Sequence, residues 1–145
     1  MTLRRWVSVG VCTLTMAWST AADAQYTGAI NVMALPLPHP SCPNVTTSAD
    51  GGDAVLDTPA FLCAIDLVPA SGGTVYIPAG KYLLDDTLVI RNKAITFLGE
   101  GQRISTLVWQ ATDASGNGID FDSNTGSLNH TLNVKRLSLL RSAGT

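Results

Sequence analysis

Between Ser71 and Gly101 the chain reads SGGTVYIPAGKYLLDDTLVIRNKAITFLGEG, with short apolar, β-branched runs set between turn residues and charges. Thr74–Ile77, Tyr82–Leu84, Leu88–Ile90 and Ala94–Leu98 each read as a strand of three to five residues. Pro78-Ala79-Gly80, Asp85-Asp86 and Arg91-Asn92-Lys93 separate them as turns or solvated corners. No helical pattern lies between the runs, which excludes βαβ crossovers and a doubly wound sheet. Two architectures remain, an antiparallel sandwich or a coil whose short strands stack on those of the next coil. Ser105–Trp109, Asn117–Phe121 and Leu132–Leu140 are the remaining strand candidates, so strands start near 74, 82, 88, 94, 105, 117 and 132. At three strands per coil that is a little over two coils, and the repeat is one of pattern, because residue identities do not recur. Gly99, Gly101, Gly116, Gly118 and Gly126 fall between runs, at corners expected to need positive φ.

Upstream the pattern changes. Asp57–Val68, DTPAFLCAIDLV, predicts one helix, with Asp57 or Thr58 as its cap and Pro59 in the first turn. Phe61, Leu62, Ile65 and Val68 form a single apolar stripe, and Pro69 with Gly72-Gly73 ends the helix. A lone amphipathic helix ahead of short strands is expected to cap the first coil. Residues 25–52 read as irregular, because Pro36, Pro38, Pro40 and Pro43 fall within eight residues.

The first two dozen residues read as a secretory leader. Arg4-Arg5 supply the positive region, Trp6–Trp18 the apolar stretch and Ala22-Asp23-Ala24 the cleavage site. The apolar stretch is well short of the ~20 residues a spanning helix needs. The residues flanking Arg4-Arg5 match twin-arginine export poorly. Removing 24 of the 145 residues leaves 121 from Gln25, one domain at most. Arg4, Arg5 and Asp23 leave with the leader, turning nine basic and eleven acidic residues into seven and ten. A chain so balanced has no basic patch for nucleic acid, and an anionic polysaccharide would need a local cationic cluster or a bridging cation. Cys12 also leaves, so Cys42 and Cys63 remain and are expected to pair in an oxidising compartment. No CxxC spacing supports a reactive thiol pair.

GGTVYIPAGKY (residues 72–82) with Leu98-Gly99-Glu100-Gly101 and the approach to the helix at 52–58 resembles the opening of the pectate-lyase-like superfamily. The resemblance runs from about Gly52 to Leu140. It implies an all-β fold, a right-handed parallel β-helix of which the first two to three coils are present, with an N-terminal capping helix. The domain plan that follows is a signal peptide at 1–24, a Pro-rich segment at 25–52, and cap plus first coils at 53–145. Ala54 replaces a usual glycine and Leu56 the first of two usual aspartates, and the run is one residue short, which weakens the turn into the helix more than the fold. A strand-like run five residues before Thr145 leads to the expectation of a longer parent protein, or of an open edge that self-associates if the chain is not continued. The resemblance further implies a secreted or periplasmic protein acting on acidic polysaccharide as a lyase, hydrolase or epimerase. It places the chemistry several coils further on, so this chain alone is expected to be inactive. The alternatives are a non-catalytic β-helix, an adhesin or carbohydrate binder, and a non-functional remnant; the leader argues against a phage tailspike.

The family's lyases abstract a proton beside a carboxylate and use a base, often Arg or Lys, with a cation such as calcium; its hydrolases use two facing carboxyl groups. Asp120 and Asp122, two apart on a strand, share one face, with Ile119 and Phe121 on the other. With Asn124 they imitate the start of a calcium loop, but Gly126 falls at position seven instead of six and Thr131 stands at the twelfth. An exposed strand face is the better reading of the pair. Asp85-Asp86 read as a turn. Arg91, Lys93, Arg103, Lys135, Arg136 and Arg141 read as solvated cations unless coiling aligns some into a ladder that binds uronate. His39 and His130 lie near no nucleophile motif, and Gly99-Glu100-Gly101 lacks the rest of a phosphate loop. Tyr76 and Trp109 read as core or corner residues before sugar platforms. Asn44-Val45-Thr46 and Asn129-His130-Thr131 are glycosylation sequons, of consequence only in a eukaryotic host. No catalytic residue and no metal ligand is named.

Overall fold

The computed structural model describes residues 28–52, 55–110, 118–122 and 131–142. Residues 1–27, among them the expected leader, and Asp53-Ala54, Gly116, Gly126, Asn124, Asn129 and His130 lie outside the described residues. The elements are β1 (Ile30–Asn31), α1 (Thr58–Leu67), β2 (Gly73–Ile77), β3 (Gly80–Leu84), β4 (Leu88–Arg91), β5 (Ile95–Gly99), β6 (Ser105–Trp109), β7 (Ile119–Asp122), β8 (Leu132–Lys135) and β9 (Ser138–Arg141). The described residues are therefore mostly β with one short helix.

The strands form three sheets, β1-β2-β5-β8, β3-β6-β9 and β4-β7. Every pairing is parallel. From β2 onward the chain visits the first, second and third sheet in that order and then returns to the first. This is the arrangement of a parallel β-helix, and it removes the antiparallel sandwich left open by the strand pattern. Gly73 lies beside Ile95, Gly80 beside Ser105 and Leu88 beside Ile119. The sequence offset grows along the path because the corners differ in length. Pro78-Ala79 suffice between β2 and β3, whereas Glu100 to Ile104 intervene between β5 and β6.

Alternation then selects the core. Val75 and Ile77, Ile95 and Phe97, Tyr82 and Leu84, Leu88 and Ile90, and Leu107 and Trp109 all point inward and are buried. Phe97 lies between Val75 and Val134 in register. Full burial of each such side chain contributes about 1.5–3 kcal/mol.

The N-terminal segment supplies the first edge. β1 pairs with β2, and Leu56 bridges Leu83 in β3. Residues 25–52, expected to be irregular, thus contain one short paired strand. α1 packs against β4 and β1, and Phe61 meets Tyr82 edge to face, ring centroids 5.4 Å apart at 73°. β1, the Leu56 bridge and α1 thus lie against β2, β3 and β4, the strands of the first coil. Cys42 and Cys63 are joined at a sequence separation of 21, tying the Pro-rich segment to the helix as expected.

Three local expectations need correction. Asp57 occupies the position before α1 but makes no side-chain capping bond. Its carboxylate instead accepts the Asp50 and Leu83 amides at 3.1 and 3.2 Å, joining three segments where a helix cap would serve one. The run 132–140 is two strands, broken where Arg136 turns to φ 53°. Gly99 and Gly101 do not use positive φ, which among the described glycines occurs at Gly28, Gly51 and Gly72. Gly99 is needed for space, since a Cβ there would overlap the Arg136 carbonyl oxygen at the corner between β8 and β9.

Candidate functional site

Two regions gather chemistry-bearing side chains. The first is the outward face of β4 and β7. Parallel pairing sets Val89 beside Asp120 and Arg91 beside Asp122. The Arg91 guanidinium reaches diagonally to the Asp120 carboxylate at 2.7 Å, with both side chains about half exposed. Asp120 faces outward while Ile119 and Phe121 pack against the core, as the alternation predicts. The hydrogen bond from Arg91 holds the Asp120 carboxyl below its ordinary value. An acid so held stays ionised and cannot deliver a proton as a general acid near neutrality. The guanidinium occupies one Asp120 oxygen, and the other candidate calcium ligands, Asn124 and the side chain of Asp122, lie outside the described residues. No group of three or more acidic, His or Cys side chains suited to a metal occurs among the described residues. Exposed pairs of this kind contribute little to stability. Asp120→Asn is therefore expected to leave the melting temperature nearly unchanged; a large fall would show that the pair fastens β4 to β7.

The second region is the cap. A groove of about 470 Å³ runs between α1, the segment around Cys42 and the corner at Asp85-Asp86. A second depression of about 330 Å³ adjoins it and shares Asn44, Val45, Leu56 and Pro59 with it. Asp85 is fixed there: it accepts the Thr58 hydroxyl at 2.7 Å and returns its amide to the same oxygen at 3.0 Å. Asp86 accepts the Thr87 amide at 2.6 Å, and its carbonyl accepts the Trp109 indole at 3.1 Å. The adjacent acids thus form a corner, as expected, and not a facing pair.

Asp57 is 3% exposed. Burial pushes its carboxyl above the ordinary 3.8, against the lowering effect of its backbone hydrogen bonds, and nearby Asp50 adds to the rise. A carboxyl whose pKa is higher folded than unfolded favours folding below its unfolded pKa, and that contribution is lost as pH rises through the folded value. Relative to Asp57→Asn, the native chain is expected to lose stability as pH rises from below 3.8. Paired denaturant titrations over that range test the sign, and a difference that stays flat would remove the assignment.

The cations do not converge into a uronate-binding ladder among the described residues. Lys93 donates to the Ile65 and Asp66 carbonyls at 2.9 and 3.0 Å, closing the C-terminus of α1 where the helix dipole favours positive charge. Arg136 donates to the Glu100 carbonyl. Arg103, Lys135 and Arg141 are exposed. Tyr76 and Trp109 are buried. The Tyr76 hydroxyl donates to Glu100 at 2.8 Å, which with the Trp109 bond to Asp86 makes both residues structural. His39 accepts the Ser41 amide in a turn. Asn44 is exposed at the rim of the groove.

Two residues escaped the sequence reading. Ser105 is fully buried, and its hydroxyl lies 2.9 Å from the Ile77 and Pro78 carbonyls while accepting the Glu100 amide at 2.9 Å. Glu100 accepts both Tyr76 and the Ala79 amide, the latter at 3.0 Å. Together they pin one corner to the next. Serine at the start of a strand and glutamate in a turn are ordinary there, so neither stands out in the sequence.

A family model described as rhamnogalacturonase A/epimerase, pectate lyase-like, matches residues 43–141, and the chain belongs to that family. The match takes in α1 and every strand from β2 to β9. No curated protein and no solved structure matches the chain. Membership carries a polysaccharide-active or related β-helix protein as the general class, and the paired cysteines fit an oxidising compartment.

Proposed function

We propose that the chain forms the N-terminal cap and first two to three coils of a right-handed parallel β-helix protein, exported through its leader, that acts on acidic polysaccharide by lyase, hydrolase or epimerase chemistry. The observation that carries this reading is the family match over the same residues that wind through three parallel sheets. Parallel winding sets residues from distant parts of the chain side by side on a continuous outer face, the surface on which a long sugar polymer is held. The chain's own residues contribute a closed first edge and a rigid first face, as the helix and β1 cover backbone groups that would otherwise pair with other strands.

A second reading, a non-catalytic carbohydrate-binding β-helix, draws support from one feature. The described cations best placed for a base are occupied: Lys93 closes a helix, Arg91 holds Asp120 and Arg136 holds a carbonyl.

One experiment separates the two. The parent protein, with the further coils in which the resemblance places the chemistry, is incubated with polygalacturonate and with rhamnogalacturonan, and three products are followed: the ultraviolet absorbance of unsaturated uronate, new reducing ends, and deuterium incorporation at the sugar carbons. Unsaturated product marks a lyase, reducing ends without unsaturation a hydrolase, and exchange without cleavage an epimerase. Retention of the polymer on immobilised protein with none of the three supports the binder. Neither turnover nor retention overturns both readings.

A further inference from the structure

The sequon Asn44-Val45-Thr46 is used neither by the fold nor by the polysaccharide reading. Its placement is specific. The Val45 amide donates to the Cys42 carbonyl at 3.1 Å, closing a four-residue turn with Pro43 and Asn44 at its centre. Proline suits the first central position because its φ is already set for the turn. Val45 is half-buried and packs against the core, whereas Asn44 and Thr46 on either side of it are exposed. The middle residue of the sequon is thus its anchor, and both functional side chains face solvent. Asparagine in a turn ordinarily bonds the local backbone through its side chain. Here neither the Asn44 carboxamide nor the Thr46 hydroxyl makes a hydrogen bond among the described residues. The segment is held from both sides, by the Cys42–Cys63 bond to α1 and by the Ala49 amide on the Val32 carbonyl at 2.9 Å.

We propose that Asn44 is the attachment site of an N-linked glycan when the chain passes through a eukaryotic secretory route. The proposal rests on the export reading above, because the sugar donor is met only inside that route. The donor class is an oligosaccharide carried on a lipid diphosphate. Asn44 Nδ2 displaces the diphosphate from the anomeric carbon. The new C–N bond forms as the C–O bond breaks, the diphosphate leaves with the bonding electrons, and the amide gives one proton to a base of the transferring enzyme. The Thr46 hydroxyl, on the same side of the chain, is the group by which that enzyme recognises the site. A proline at the middle position would block transfer, and Val45 stands there. The folded structure adds a requirement of its own, that a bulky polymer on Asn44 leaves the fold intact. An exposed side chain without a partner meets it, since nothing is displaced.

The full chain is synthesised in the presence of endoplasmic-reticulum microsomes. Added protease reports import, and glycopeptides are mapped by mass spectrometry. The chain is expected to be protected and to carry one oligosaccharide at Asn44. Asn44→Gln and Thr46→Ala are expected to abolish that glycan, Thr46→Ser to keep it, and Asn129→Gln to leave it unchanged. The glycosylated chain is expected to melt at the same temperature as Asn44→Gln, with the Cys42–Cys63 bond formed in both. A protected chain without a glycan at Asn44 overturns the proposal. So does a glycan at Asn44 that survives Thr46→Ala, or a glycosylated chain that melts well below Asn44→Gln. A chain that stays open to the protease overturns the export reading and takes the proposal with it, so the two failures are told apart.

Discussion

Replacing Phe97 by alanine is expected to lower the unfolding free energy by about 3–5 kcal/mol, the usual cost of emptying a buried aromatic site. Phe97 is fully buried on β5, in register with Val75 of β2 on one side and Val134 of β8 on the other. Its ring fills the space between neighbouring strands in the interior of the winding, so the lost contacts cannot be recovered by local collapse. Denaturant titration of the native and variant chains measures the effect. Phe97→Leu, which keeps most of the volume, is expected to recover more than half of the loss. A drop below about 1 kcal/mol for the alanine variant would mean that the stacked interior is not a packed core.

Removing the Cys42–Cys63 bond is the second large effect. The bond closes a segment of 21 residues, and the chain-entropy account assigns about 3 kcal/mol to such a closure. Both cysteines are buried, so the paired change Cys42→Ala with Cys63→Ala avoids leaving a hydroxyl without a partner. A fall in melting temperature on the order of 10 °C is expected for a domain of this size. The loss should be local as well as global. Amide exchange is expected to quicken around residues 30–50 and at the start of α1, because the bond ties the Pro-rich segment to that helix. The Phe97 core should respond less. If native protein under reducing conditions melts where the oxidised protein does, the bond does not hold the cap.

The two effects act at different places for a physical reason. β-helix interiors are quasi-one-dimensional, each layer being stabilised by its neighbours, so a core deletion weakens the stack around it. The cap has a different task, since it covers the first edge and must stay attached. The cap was legible in outline from local residues. The helix at 57–68 is observed at 58–67, and its apolar stripe is buried at Phe61, Ile65 and Val68. The use of Asp57 was not legible. A capping residue and a residue that links three segments look alike in a sequence, and the buried carboxylate is distinguished by the Asp50 and Leu83 amides that reach it.

From β2 onward, strand existence and strand facing were legible, because both follow from local alternation, whereas β1 in the Pro-rich segment was not. Ile119 and Phe121 turn inward and Asp120 outward as period two requires. The split of residues 132–140 was not, since Arg136 carries no turn signature and adopts positive φ in a context set by neighbouring strands. The choice between sandwich and coil was likewise open on periodicity alone, which is blind to which strands pair; the family resemblance pointed to the coil.

By itself, then, the sequence determined the short strands, the inward and outward positions, the single helix and the pair of cysteines available to join. Each of these depends on residues close together in the chain. The tertiary structure alone decided which distant groups meet: Arg91 with Asp120, Lys93 with the end of α1, and Ser105 with the Ile77 and Pro78 carbonyls. Those meetings depend on the register between successive layers. Register in turn depends on corners of unequal length, which the alternation of apolar and polar residues does not encode.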